Sequence, residues 1–302
     1  MLECVILVNL KSGRWGWTWI RRESLSLTFS LSHLMLLQIA PPAAVDIAAR
    51  VGYDFIGLRL LPSGPGGIAY PLMSNRALMR DTRARLADTG MRVFDIESIS
   101  LNTTTALDDY LPLFQAGADL GARTVLASCY DPDPERVADN FAALCEAAAG
   151  FGLMVHLEFI PWSVIRTPME ARRMIESSQQ PNARVLLDTL HLDRVGGTAQ
   201  ELSSLAGGLD YIHVCDALKY AGGGDEERLH TARFNRLLPG DGEIDFQPVI
   251  TAIPANAVIG IEVPSTSMME RFGAEELARR ALLAAKKIIT AHASECDVSP
   301  DR

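Results

Sequence analysis

No run of 18 consecutive apolar residues occurs in this 302-residue sequence, so no segment is long enough to cross a bilayer as a helix. Positive charge is also scarce: 28 Lys and Arg stand against 37 Asp and Glu, a net charge of −9. A nucleic-acid surface needs clustered Lys and Arg to displace counterions, so nucleic acid is an unlikely partner. A small polar substrate or a metal cation suits the acidic balance better. The cysteines are few and scattered (Cys4, Cys129, Cys145, Cys215, Cys296), with no CxxC, which reads as a reduced, cytoplasmic protein. The runner-up, a doubly wound open sheet, would want a phosphate-binding glycine turn after an early strand; the loop at 62–71 is rich in proline as well as glycine and does not suit that turn. What remains is an ordinary globular composition, 48% hydrophobic and 22% charged, able to bury a core.

Residues 1–23 stand apart. An apolar run from Cys4 to Leu10 is followed by Lys11, Trp15, Trp17, Trp19 and Arg21-Arg22. A signal peptide carries its positive charge before the apolar run and a small-residue cleavage site after it. The order here is reversed, so 1–23 reads as an extension outside the core fold, either poorly ordered or the product of a misplaced start. The core domain is set at 24–293 and a short tail at 294–302.

From residue 24 onward, apolar β-branched runs alternate with helical patterns. Strands are expected at 25–31, 54–60, 91–96, 123–128, 153–158, 184–188, 209–215 and 257–262. Between and after them, helices are expected at 43–51, 75–89, 108–120, 134–149, 168–178, 198–205, 246–253 and 274–292. Glycines (Gly52, Gly90, Gly121, Gly152) mark the helix-to-strand junctions repeatedly. The stretch 216–242, rich in glycine and charge, reads as an irregular loop able to act as a lid. Eight strands alternating with eight helices predict a single α/β (β/α)8 TIM barrel, with near-continuous apolar strands because helices cover the sheet.

Four of the later strands end in, or carry, an ionisable residue: Glu158, Asp188, His213 and Glu262. They lie 30, 25 and 49 residues apart, about one strand-plus-helix unit each with one enlarged loop. If the strands are parallel neighbours, the four converge at the C-terminal end of the barrel, where such folds build their sites. Carboxylates plus one imidazole suit Mn²⁺, Mg²⁺ or Co²⁺ better than structural zinc, which prefers thiolates. One divalent cation is expected, Mn²⁺ first, with Mg²⁺, Co²⁺ or Zn²⁺ as alternatives.

The second half of the chain carries H-L-E-F at 156–159, D-T-L-H at 188–191, H-V-C-D at 213–216, R-L-L-P-G-D-G at 236–242 and I-E-V-P at 261–264. In these motifs it resembles the xylose-isomerase-like TIM-barrel proteins, which include sugar isomerases and epimerases, inosose dehydratase, 3-dehydroshikimate dehydratase and endonuclease IV. The resemblance implies that Glu158, Asp188, His213 and Glu262 bind one divalent cation and that His191 and Arg236 hold substrate. It also implies that Glu158 and Glu262 double as acid and base on opposite faces of a small sugar-like or polyol-derived ketone, through an enediolate. A dehydratase (lyase) acting on an inosose or 3-dehydroshikimate-like acid is the alternative, since both reactions begin with the same proton abstraction. A non-catalytic barrel is the third reading. Endonuclease IV uses many more histidines than the six here, so DNA repair is disfavoured.

Other residues are weighed from their positions alone. His156 shares the strand parity of Glu158 and is expected one layer below it as a support. Asp216 is expected to orient His213 or Arg236. Glu97 and Trp162 are candidate pocket walls, while Arg59 and His33 serve equally as wall or structural partner. Cys129 and Cys215 read as buried bystanders. Homo-oligomer formation is left open.

Overall fold

In a computed structural model, the structure describes residues 3–9, 15–21, 27–62, 67–205 and 208–295. Strands β1 (Glu3–Asn9) and β2 (Trp15–Arg21) pair antiparallel as a two-stranded sheet within the predicted extension. The expected first residues of the strand at 25–31 and the end of the tail lie outside the described residues.

Eight parallel strands then close a barrel: β3 (Thr28–Leu31), β4 (Phe55–Arg59), β5 (Arg92–Leu101), β6 (Thr124–Cys129), β7 (Met154–Glu158), β8 (Ala183–Asp188), β9 (Tyr211–Val214) and β10 (Val258–Ile261). Each pairs with the next in sequence, and β10 pairs with β3 to complete the circle. The first five helices are α1 (Pro41–Val51), α2 (Arg76–Thr89), α3 (Leu111–Leu120), α4 (Pro134–Ala149) and α5 (Pro168–Ser178). The chain continues with α6 (Thr189–Arg194), α7 (Ala199–Leu205), α8 (Gly224–Phe234), α9 (Gln247–Ala252), α10 (Thr266–Phe272) and α11 (Ala274–Glu295). Local chemistry sets their ends. Asp133 caps α4 ahead of Pro134, and Thr167 with Glu170 forms a capping box on α5 ahead of Pro168. Gly52 ends α1 at φ 92°, a left-handed conformation that side chains with a Cβ rarely adopt.

Alternation along the strands divides the apolar residues into two regions. The larger lies between sheet and helices. The smaller, made of Phe55, Phe94, Leu126, Leu186, Tyr211 and Val258, plugs the barrel and leaves polar side chains to occupy its C-terminal end.

Four elements differ from the sequence expectation. The stretch 216–242 contains α8, whose buried residues are only Thr231 and Ala232. Without an apolar stripe, it gives no helical period to read. Helices α6 and α10 are too short to establish a period. Strand β5 runs past Glu97 to Leu101, with its pairing to β6 shifted between Ile96 and Ile99.

Candidate metal centre and active site

Glu158, Asp188, His213 and Glu262 stand at the C-terminal ends of β7, β8, β9 and β10, as the spacing predicts. Paired registers bring them together: Asp188 lies opposite His213, and Val214 opposite Ile261, one residue before Glu262. Potential ligand atoms of Asp188, His213 and Glu262 lie within 4.8 Å of one another, and so do those of Glu158, Asp188 and His191. Asp188 also caps α6, accepting from Leu190 N at 2.7 Å and His191 N at 3.4 Å, and that short helix carries His191 into the site.

His213 is oriented from behind. Its Nε2 lies 3.0 Å from the Tyr211 hydroxyl, which donates to Asp95 Oδ2 at 2.8 Å. With that proton committed, Nε2–H of His213 donates to Tyr211, and Nδ1 faces the carboxylates. Nδ1 is buried, makes no aligned hydrogen bond, and lies 3.4 Å from Glu262 Oε1. A buried, unpaired imidazole nitrogen among converging carboxylate oxygens is the donor set a divalent cation needs, so these residues fit one. Two glycines make room for this array. A Cβ at Gly57 would meet Asp95 Oδ1 and Oδ2 at 2.6 Å, and one at Gly260 would meet the Tyr211 hydroxyl at 2.8 Å.

Charge in the site is closely balanced. Arg236, 2% exposed, donates to Asp188 Oδ2 at 2.6 Å and to the backbone oxygen of Ala232 at 2.8 Å, and pairs with Glu262 Oε2 at 3.0 Å. Burial pushes the Glu158 carboxyl up to about 8, reinforced by the charges of Asp188 and Glu262. Burial would raise Glu262 too, but His213, Arg236 and the Ser32 hydroxyl, which donates to Oε1 at 2.8 Å, hold it well below the usual range. For His213 burial opposes the cation, yet Glu262, Glu158 and Asp188 outweigh it and push the imidazole up to about 10. His191 is lowered to about 4 by burial, with Arg236 adding to the effect, and is a neutral ring at pH 7.

The remaining sequence candidates fall into two groups. Glu97 is buried at the cavity wall, paired with Arg59 and 3.3 Å from the Ser32 hydroxyl. Trp162 stands edge-on to His191, ring centroids 5.2 Å apart, and lines the same cavity. His191 Nε2 lies 3.7 Å from Glu158 Oε1. These three line one cavity together with Glu158, His213 and Glu262.

The others are braces. His33 accepts from Arg59 N at 3.0 Å and donates to the Ile39 carbonyl at 2.8 Å. His156 is one layer below Glu158 but bonds Thr124 Oγ1 at 2.7 Å and Asp210 Oδ1 at 2.8 Å. It packs edge-on to Tyr211, so its connection to the site runs through the partner of His213 rather than through Glu158. Asp216 contacts neither the His213 nor the Arg236 side chain in its hydrogen bonds. Its carboxylate instead accepts from Ala217 N, Gly240 N, Gly242 N and Ile244 N at 2.8, 2.8, 2.9 and 3.1 Å, because it lies one residue past the strand beside a loop full of unpaired N–H groups. Cys129 and Cys215 are buried thiols, each pushed up to about 12 by burial. Asp95, Tyr211, Ser32 and Tyr130 were not singled out from sequence. Only the inward parity of Tyr211, two residues before His213, offered a signal.

A closed parallel barrel with carboxylates and a histidine at its C-terminal mouth defines a (β/α)8 protein with a candidate cation site. The sequence profile of the xylose isomerase-like TIM barrel family matches residues 45–288, and the chain belongs to that family. No curated protein sequence matches it. Among solved structures, the IolI protein with a bound zinc atom is similar at 16% identity and TM-score 0.73, over 88% of this chain and 99% of that one. D-allulose 3-epimerase from Methylomonas sp., in complex with D-allulose, is similar at 19% identity and TM-score 0.65, over 86% and 96%. The 3-keto-D-glucoside 4-epimerase YcjR from E. coli is similar at 16% identity and TM-score 0.64, over 87% and 100%. At these identities the likeness is one of fold. Among the described residues no helix is long and apolar enough to cross a membrane.

Proposed function

We propose that this protein is a divalent-metal-dependent isomerase or epimerase of a small sugar-like ketone, working by proton transfer at the carbon beside the carbonyl. The observation that carries the reading is the convergence of Glu158, Asp188, His213 and Glu262, whose potential ligand atoms fall in two overlapping groups that share Asp188. Without the cation Glu262 is held ionised and Glu158 is the more proton-avid of the two; with it bound both would be carboxylates, so one could take the substrate proton as base and the other return one as acid. Glu158, Asp188, His213 and Glu262 would hold the cation, with Mn²⁺ favoured by the oxygen-rich set. Once bound, it supplies Lewis acidity for a carbonyl and its neighbouring hydroxyl, worth several kcal/mol. His191, neutral and buried, offers a hydrogen bond to a substrate oxygen. Trp162 and Glu97 position the polyol, and Arg236 pairs with Asp188 and Glu262 and holds both carboxylates in line.

The similar structures of D-allulose 3-epimerase and 3-keto-D-glucoside 4-epimerase support this reading. The same proton abstraction also precedes departure of a β-hydroxyl as water, so the dehydratase stands as the second reading. Keto-sugars, inososes and 3-dehydroshikimate-like acids, screened with Mn²⁺, Mg²⁺ and Co²⁺ by mass and NMR, separate the two. Unchanged mass means isomerisation, and loss of one water means dehydration. Glu158→Gln and Glu262→Gln should each lower kcat on the accepted substrate by roughly 10²–10⁴. Turnover untouched in both variants would remove the glutamates from the proton-transfer role. Metal analysis that finds no bound or restorable divalent ion would favour a non-catalytic barrel.

A further inference from the structure

The chamber in front of the metal ligands is small, about 90 Å³. Outside it lies a second space of about 530 Å³. Binding sites for small molecules run to roughly 300–1,000 Å³, so the inner chamber alone falls short and the outer cleft does not. The two are neighbours, because Tyr130, Trp162 and Arg233 line both. Beyond that doorway the outer cleft is walled by Tyr110, Leu61 and Leu229. Its polar edge is Asn102, with Ser98 and Ser100 from the part of β5 that continues past Glu97, both of which line the inner chamber as well. The long β5 on one side and α8, which carries Leu229 and Arg233, on the other raise walls above the barrel rim.

Aromatic faces flanked by a few hydrogen-bonding groups recognise flat rings, whether the π-face of an aryl group or the C–H face of a second sugar. We propose that the substrate is a two-part molecule, with a ketone-bearing sugar head in the inner chamber and a flat ring, joined to it, in the outer cleft. The inference rests on the catalytic reading above for the identity of the head, but not for the existence of the outer subsite. Trp162 and Tyr130 would contact both halves, whereas Tyr110 and Leu229 would contact the ring alone.

Calorimetric binding to the full chain supplied with Mn²⁺ tests this, using methyl β-D-glucoside, phenyl β-D-glucoside and cellobiose as probes. The subsite predicts that at least one ring-bearing probe binds about tenfold or more tightly than the methyl glucoside. Phenyl above cellobiose assigns an aryl group to the cleft, and the reverse assigns a second sugar. Tyr110→Ala and Leu229→Ala should each reduce that preference to about threefold or less, with methyl glucoside binding unchanged. Equal binding of the three probes, binding of none, or a preference that survives in both variants overturns the subsite. The 3-keto forms of the same probes keep the two readings apart. A ring preference in binding without turnover of any keto form sinks the catalytic reading and leaves the subsite standing. Turnover of the keto forms without a ring preference in binding does the opposite.

Discussion

Tyr211 contributes to the site through one hydroxyl, which joins a buried carboxylate to a buried imidazole. Its hydroxyl donates to Asp95 at 2.8 Å and stands 3.0 Å from His213 Nε2, fixing which nitrogen of that ring faces the other ligands. Groups that orient a metal-ligating histidine are worth about 10–100-fold in metal affinity. Tyr211→Phe keeps the ring that packs in the barrel plug and removes only this bond, so competition titration with a chelating indicator should show a loss of that size. Glu158 sets the pH dependence. Its carboxyl, ordinarily near 4.5, is pushed up to about 8 by burial and by Asp188 and Glu262. Between those values the folded, metal-free protein binds a proton that the unfolded chain has released, so this group's contribution to stability falls as pH rises through the window. A cation at these residues must displace the same proton and the one held by His213, whose imidazole is pushed up to about 10, so metal affinity should rise by up to about a hundredfold per pH unit between 6 and 8, and Glu158→Gln should reduce that to about tenfold.

At the scale of elements, the loop after β9 is organised by one side chain. Asp216 accepts from three N–H groups of 240–244, and its backbone pairs with Leu237 in both directions at 2.8 and 2.9 Å. This ties down the residue next to Arg236 and, with it, the guanidinium between Asp188 and Glu262. Asp216→Ala strands several buried donors at roughly 1–3 kcal/mol each. Thermal unfolding should shift down by at least several degrees, with Asp216→Asn recovering part of the loss. The H-V-C-D motif placed Asp216 beside the site, but sequence could not show that its partners are 24 to 28 residues further on. The same limit applies to α8. With no apolar stripe it has no period to read, and in the structure it buries only Thr231 and Ala232.

For the molecule as a whole, the barrel gathers acidic side chains that the unfolded chain would keep far apart, and something positive must answer them. Arg236 does so in part. Arg236→Met should destabilise the metal-free protein by about 3–5 kcal/mol, because it leaves Asp188 and Glu262 buried without their partner. A divalent cation at 100 times its Kd stabilises the folded state by about 2.7 kcal/mol. Differential scanning calorimetry should therefore show Mn²⁺ raising the Tm of the natural protein and recovering part of what the Arg236→Met variant loses. A Tm indifferent to the ion in both would argue against a cation at these ligands.

Sequence alone determined the barrel and the four ionisable residues that meet at its strand ends. Strand and helix periods, glycine stops and charged strand ends are local patterns, and parallel closure makes residues at matching strand ends neighbours. The helix bounds at 134–149 and 168–178 follow from proline, capping and periodic signals in the chain itself. Only the tertiary structure decided which nitrogen of His213 is free, that Asp95 and Tyr211 stand behind it, and that His156 answers to Thr124 and Asp210. It alone divided the glutamates into one that keeps its proton and one that does not, and set a large cleft outside a small chamber. Those properties depend on distances between residues far apart in sequence and on exclusion of water, and neither exists until the barrel has closed.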